Sequence, residues 1–398
     1  MAEKYNIICL SNQLWDYPNW TNKRHVMYRM GQLGHKVVFV DPPINFGKVL
    51  LTQFKKGFFN IGRLLKGYKI DGDILIYTPI KFLPLKKFYS EYFSKKINNL
   101  AKNFFKNSNK TILWVYNVEI EHLDCYLDGI NRDYLIYDCV DYYAGFPKYE
   151  TKESKEAFFE IEKNLTHQSD LVFATAPGLV ERLKKYNSRT YYTPNVGDFE
   201  LFHNIKEKYK NDTPSELKGI KHPIIGYIGA LDTYKFDYEI LKEAATTYPD
   251  YSFVVIGDIA LKDREGTLKE LGLEEIPNIY FLGSIPFIKT PKFMAHFDAE
   301  LIPYVYNDYT IGGCFPVKFF NTMSAGIPSI VTDLPVFSIY KNITYISKSK
   351  TDFVENIKIA LDEDSDLKYR ERVAVASENT WDSKVSAMLH IIKSTFKS

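Results

Sequence analysis

Three apolar runs in the second half of the chain each end in glycine. They are Ile224-Ile225-Gly226-Tyr227-Ile228-Gly229, Ser252-Phe253-Val254-Val255-Ile256-Gly257 and Asn278-Ile279-Tyr280-Phe281-Leu282-Gly283. Short continuous apolar runs separated by helix-length stretches predict buried strands of a parallel sheet. Glycine at the carboxyl end of such a strand lets the backbone approach a ligand, at the edge where open α/β sheets bind one. Any one of these glycines also fits a plain tight turn; three in succession favour a ligand edge. Ala299-Glu300-Leu301-Ile302-Pro303 and Pro328-Ser329-Ile330-Val331-Thr332 continue the series.

The first half opens on a strand–helix–strand unit. Tyr5-Asn6-Ile7-Ile8-Cys9-Leu10 is followed by a polar, aromatic loop and then a helix-period stretch through Met27 and Met30 that Gly34 caps. Lys36-Val37-Val38-Phe39-Val40-Asp41 begins the next strand, stopped by Pro42-Pro43. Further buried strands are expected at Ile74-Leu75-Ile76-Tyr77, Thr111-Ile112-Leu113-Trp114-Val115, Tyr134-Leu135-Ile136-Tyr137 and Leu171-Val172-Phe173-Ala174. The polar stretch from His203 to His222 reads as a linker. With 398 residues, the expectation is an α/β protein of two Rossmann-like, doubly wound domains facing a central cleft. The boundaries are 1–205 and 206–380, with a last helix over 381–398.

Composition removes several classes. Cys9, Cys125, Cys139 and Cys314 lie far apart without a CxxC pair or Cys/His cluster, so neither a zinc site nor a disulfide framework is expected. The first residues turn polar too soon for a signal peptide, and no window approaches 18 apolar residues. A cytoplasmic protein is expected. The net charge of +2 hides an asymmetry: residues 46–106 hold thirteen Lys/Arg against three acids, or +10, leaving about −8 for the rest. Those basic residues alternate with Leu50, Leu51, Phe54, Phe58, Phe59, Phe82, Phe88, Tyr92 and Phe93, a pattern suited to an interfacial helix on an anionic membrane. The plainer alternative is core rings and solvated lysines. Nucleic acid is not expected as a partner, since no recognition motif accompanies the charge.

The order of motifs in the C-terminal half resembles the donor domain of GT-B-fold glycosyltransferases of the group 1, family 4-like type. The carriers are the 278–283 run, Phe297-Asp298-Ala299-Glu300-Leu301-Ile302-Pro303 and Pro316-Val317-Lys318-Phe319-Phe320-Asn321-Thr322-Met323-Ser324-Ala325-Gly326-Ile327-Pro328. The last is similar to "PxKxxEYxAxGxP". Thr193-Pro194-Asn195-Val196-Gly197-Asp198 resembles the family's "PNGVD" with two residues exchanged. Trp381 resembles the tryptophan before the helix that returns to the N-terminal domain. The chain also looks similar to the membrane-associated glucuronosyltransferase of xanthan assembly.

The resemblance implies a nucleotide-sugar donor, with UDP the expected nucleotide, and transfer to a glycan or lipid-linked acceptor at the inner membrane face. Donor contacts are expected from Gly229, Lys235, the Phe281-Leu282-Gly283 turn, Lys318 and Asn321. Lys318 follows Gly312-Gly313 and opens a helix, so its ammonium and the helix N–H groups can converge on phosphate. The family's two glutamates are replaced by Asn321 and Gly313, which leaves a neutral amide for the ribose. In the N-terminal domain, Tyr137-Asp138-Cys139-Val140-Asp141 ends a strand with two carboxylates; Asp141, farther past the strand, is the expected general base and Asp138 the second choice. An Asp at that point also fits a plain turn cap. Arg24 and His25 are candidates for an acceptor or phosphate contact, or else lie at an exposed helix start. No DxD-like metal motif is present, so no cofactor and no metal are expected. Two other readings remain: a nucleotide-sugar epimerase, which would turn over donor alone, and a non-catalytic relative that binds nucleotide weakly.

Overall fold

The computed structural model describes residues 3–17, 20–47, 51, 66–82, 86–258 and 264–396. Two sheets organise it. The first holds β1 (Asn6–Leu10), β2 (Lys36–Val40), β4 (Tyr68–Asp71), β5 (Ile74–Tyr77), β7 (Thr111–Val115), β8 (Tyr134–Cys139), β9 (Leu171–Ala174) and β10 (Thr190–Tyr192). Their order is β10-β9-β8-β7-β1-β2-β5-β4, all parallel except the β4–β5 pair. Short β3 (Ile44–Asn45) and β6 (Ile80–Lys81) pair separately. The second sheet is parallel throughout: β11 (Ile224–Ile228), β12 (Ser252–Ile256), β13 (Ile279–Gly283), β14 (Ala299–Ile302), β15 (Ser329–Thr332) and β16 (Tyr345–Ser347), in the order β13-β12-β11-β14-β15-β16.

The apolar strands of both sheets are buried on both faces because helices cover each side. In the first sheet the winding reverses at β1, between β2 and β7; in the second it reverses at β11, between β12 and β14. These are the places where such sheets open a crevice at their carboxyl ends.

The stretch expected as a linker is packed rather than free. Ile205 and Leu217 are buried beside Phe202 and Ile224 in a core of the second domain. The chain crosses between domains twice, and the two crossings lie side by side: the Gly197 N–H donates to the Asn379 carbonyl at 3.1 Å, and Gly197 bridges Thr380. The last helix, Trp381–Phe396, then packs against the Asn22–Gln32 helix of the first domain. Fully buried Trp381 stacks on His25 with ring centres 4.4 Å apart, and Phe396 stacks on Tyr134 at 3.8 Å. An amide chain braces the same region. Asn22 donates to Asn195 at 2.7 Å, and Asn195 donates to the Phe315 carbonyl at 2.9 Å.

The domains also meet along glycines. A Cβ on Gly145 would lie 2.7 Å from the Tyr309 Cα, and one on Gly312 would lie 2.8 Å from the Tyr142 ring. Gly312 and Gly313 therefore do not form the loop expected before Lys318. They end a short helix, Asp308–Gly313, that lies against the first domain. At Gly313, where the resembled family carries a glutamate, a Cβ would press into Leu179 at 2.6 Å. A glutamate at this position has no room in this seam.

Candidate active site

A cavity of about 560 Å³ opens at the carboxyl ends of β11, β12 and β13. Gly229, Gly257 and Ser284 form its rim from the strand ends, and Lys318 and Asn321 reach it from the Lys318–Ser324 helix. Tyr17 and Trp20, from the loop after β1, face it from the other domain. The glycines serve close backbone approach here. A Cβ on Gly257 would fall onto the Gly229 carbonyl oxygen, while Gly257 N–H still donates to the Gly283 carbonyl at 2.9 Å. Gly257→Ala is therefore expected to part the two turns, lowering stability by roughly 1–3 kcal/mol and weakening any ligand on the cavity floor; denaturant titration and ligand calorimetry measure the two effects.

Lys318 is the most distinctive group on that floor. Its ammonium is buried, has no hydrogen-bond partner, and lies 3.5 Å from the centre of the Tyr227 ring. Burial pushes its pKa well below the usual lysine value, and the nearby Glu300 carboxyl pulls it back up. Glu300 itself is fully buried on β14, held by Thr322 and by the Ile228 N–H at 3.3 Å, and burial raises its pKa. Sequence reasoning passed over Glu300. The available signal was a single charge inside the run Ala299-Glu300-Leu301-Ile302, where a buried strand has no place for an unpaired one.

Asn321 is nearly buried, and its side-chain oxygen accepts the Asp198 backbone N–H at 2.9 Å. That bond fixes the amide orientation and leaves the NH₂ group for the cavity that Asn321 lines. The Phe281-Leu282-Gly283 turn sits differently from expectation. Phe281 and Leu282 pack toward two separate cores, and the wall of the cavity is made by the next residues, Ser284 and Ile285. Lys235 is also absent from the cavity wall. It stands at the domain seam, 5.0 Å from the Tyr304 ring centre and 6.0 Å from that of Tyr309.

The two aspartates after β8 separate clearly. Asp138 is fully buried; one oxygen accepts the Trp114 indole N–H at 3.2 Å and the other has no partner. Lys384 of the last helix faces it electrostatically while donating to the Thr193 and Pro194 carbonyls at 2.9 Å. The strand-end geometry thus puts Asp138 in the core rather than at the cleft. Asp141 is half-buried at the seam, and the Tyr309 hydroxyl of the second domain donates to its Oδ2 at 3.2 Å. Desolvation raises its pKa, opposed by Lys235, Lys23 and the Tyr309 hydrogen bond.

Arg24 and His25 are not an exposed helix start. Arg24 lies 4.1 Å from the Trp20 ring centre and 5.2 Å from Trp15, a cation between two indoles. His25 is buried with Nε2 unpartnered, and burial with Arg29 and Arg24 nearby keeps it neutral. The cavity wall carries Trp20 and Tyr17 but neither Arg24 nor His25. Asp237, close to Lys235, caps the Tyr238–Thr247 helix through the Glu239 and Ile240 N–H groups. Among the described residues, no group of three His, Cys, Asp or Glu side chains is placed to hold a metal ion.

Solved structures match this architecture along its length. The sucrose-phosphate synthase of Thermosynechococcus elongatus superposes with a TM-score of 0.70 at 13% identity, over 100% of both chains. Anabaena HepE in complex with UDP superposes at 0.67 and 12% identity, over 99% of this chain and 100% of that one. The chain has the GT-B fold. No family model matches it. By sequence, this GT-B chain is 25% identical over 264 residues to the Bacillus subtilis protein named "Putative teichuronic acid biosynthesis glycosyltransferase TuaH". That alignment covers 63% of this chain and 64% of that protein, under two thirds of its length.

The basic segment expected to meet a membrane is partly in view. Lys48, Lys55, Lys56 and Arg63 lie outside the described residues, as do Leu50, Phe54, Phe58 and Phe59. The helix Lys86–Phe105 buries Phe93 and Phe105 in the core but leaves Phe88 and Tyr92 exposed, with Lys87, Lys95 and Lys102 also outside. Exposed Phe46 and Phe82 pack on one another with ring centres 4.9 Å apart. Lys69 and Lys81 are paired, with Asp16 at 2.5 Å and Glu121 at 2.6 Å. No described helix is long and apolar enough to cross a membrane.

Proposed function

We propose that this chain transfers a sugar from a UDP-linked donor to a glycan or lipid-linked acceptor in surface polysaccharide assembly. The observation that carries the reading is the buried, unpaired Lys318 ammonium on the floor of a cavity rimmed by strand-end glycines. A diphosphate supplies the negative oxygens such a group lacks, and a leaving diphosphate gains most from a preorganised cation in a dry site. The relatives support the class: HepE has been solved with UDP and with UDP-glucose, and TuaH carries a glycosyltransferase name.

In this reading Lys318 and the Asn321 NH₂ group hold the nucleotide diphosphate, and transfer uses Lys318 rather than a metal ion to steady the leaving group. Asp141 accepts the proton of the acceptor hydroxyl, its raised pKa suiting it to that role. Calorimetric titration with UDP and GDP tests the donor site. Binding of UDP in preference to GDP is expected, and binding of neither removes the reading.

The exposed Phe88 and Tyr92 beside Lys87, Lys95 and Lys102 support docking on an anionic leaflet, which brings a lipid-linked acceptor to the cleft. Phe88→Ser with Tyr92→Ser is expected to lower binding to phosphatidylglycerol vesicles at least about tenfold. Equal sedimentation of both proteins with such vesicles would overturn the docking.

A further inference from the structure

The donor cavity rests on a carboxylate that the proposed transfer does not use. Glu300 Oε1 accepts the Ile228 N–H at 3.3 Å, and Oε2 meets the Thr322 hydroxyl. The same hydroxyl lies 2.9 Å from the Lys318 carbonyl oxygen. Threonine has one hydroxyl hydrogen, so it serves one of these acceptors at a time. With Glu300 ionised, that hydrogen goes to Oε2. With Glu300 protonated, the carboxyl O–H donates to Thr322 Oγ1, and Thr322 turns its own hydrogen to the Lys318 carbonyl. Both arrangements are satisfied, so the pocket accepts either charge state at little cost in hydrogen bonds. An ionised Glu300, however, offsets the Lys318 charge felt by any anion above it.

Resting on the donor-site reading, we propose that Glu300 takes up a proton when a nucleoside diphosphate binds, leaving Lys318 to face the ligand with its charge unopposed. The proton comes from the buffer, one per ligand, and settles on Oε2 against Thr322; no bond of the ligand changes. Glu300 is a positioning residue for Lys318, not a group that touches the donor. Burial supports the exchange on the carboxyl side, since it disfavours the ionised form of Glu300; the ligand's negative oxygens supply what keeps the Lys318 ammonium charged. The other titratable groups around the pair are Tyr227 from β11, Tyr304 after β14, Cys314 before the Lys318 helix, and Lys235. Burial raises both tyrosines and holds the Cys314 thiol up at about 11, so all three stay neutral near neutral pH. Lys235 stays charged. Besides Glu300, the groups here able to change charge are Lys318 itself and Asp232 on the cavity wall; uptake by Lys318 gives no acid carbonyl band, and a band from Asp232 persists in Glu300→Gln.

The sign follows from linkage: the complex holds more protons than the empty protein, so donor affinity falls as pH rises, by up to about tenfold per pH unit. The decisive measurement is an infrared difference spectrum of the full chain, with and without saturating UDP, at mildly alkaline pH. The carbonyl band of a protonated carboxylic acid is expected to appear with UDP and to be missing in Glu300→Gln. In Thr322→Val, where the acid has lost its acceptor, the band is expected at higher frequency; that shift carries the assignment if Glu300→Gln fails to fold. UDP bound calorimetrically without any acid band, or a band that persists in Glu300→Gln, overturns the proposal. Failure of UDP to bind overturns the donor-site reading beneath it.

Discussion

Replacing Lys318 with methionine is expected to weaken UDP binding by roughly 30-fold to several thousand-fold, the equivalent of about 2–5 kcal/mol for deleting one partner of a buried charge contact. The size follows from where the ammonium sits. It is buried against the Tyr227 ring with no hydrogen-bond partner, so no hydrogen bond must be broken when phosphate arrives, and Glu300 is the nearby charge that acts against it. Stability should stay near that of the parent protein where Glu300 is protonated and fall as pH rises, because methionine fills the same volume but leaves an ionised Glu300 buried without its cation. Calorimetry with UDP and thermal unfolding of the same sample separate the two quantities. Unchanged UDP affinity in Lys318→Met would sink the role given to this residue.

Asp141→Asn is expected to lower turnover by about 10²–10⁴-fold while leaving UDP affinity within about twofold. The amide keeps the size of the side chain and can still meet the Tyr309 hydroxyl, but it cannot take a proton. The pH profile gives a second readout. Burial raises the Asp141 pKa, so activity of the parent should climb as pH rises through that raised value, and the acidic limb should vanish in the variant. Release of UDP from a panel of UDP-sugars, with and without membrane extract as acceptor source, provides the assay. Full activity with an unchanged acidic limb would leave Asp141 as a seam residue bonded to Tyr309 and nothing more.

The parts of the molecule legible beforehand are those governed by local pattern. Apolar runs of four to six residues, three of them in the second half ending in glycine, became parallel strands of two sheets, because both faces of such a strand must be covered. Lys318 and Asn321 came to the cavity together because they lie three residues apart and so share one face of the Lys318–Ser324 helix. What was not legible depends on contacts distant in sequence. Asp138 and Asp141 are three residues apart, yet one faces Trp114 and Lys384 in the core and the other faces Tyr309 across the seam. Nothing in their local sequence distinguishes those surroundings. The Phe281-Leu282-Gly283 turn was expected to contact the donor; alternation along β13 sends the Phe281 and Leu282 side chains to opposite cores, and Ser284 and Ile285 line the cavity. The surroundings of Lys235 are likewise supplied from far along the chain, by Tyr304 and Tyr309 some seventy residues later. Glu300 hid inside a strand whose pattern reads as apolar.

The paired crossings between the domains act like the two leaves of a door hinge. Had the chain crossed once, the domains could swing and twist about a single tether. With Gly197 bonded to Asn379 and bridged to Thr380, the two tethers define a line, and relative motion reduces to rotation about it. Asn321 is tied to Asp198, immediately beside that line, so a swing about it moves Asn321 little relative to the crossing. The Asp141–Tyr309 hydrogen bond and the glycine seam join the same two domains away from the tethers, and these are the contacts that a swing has to part.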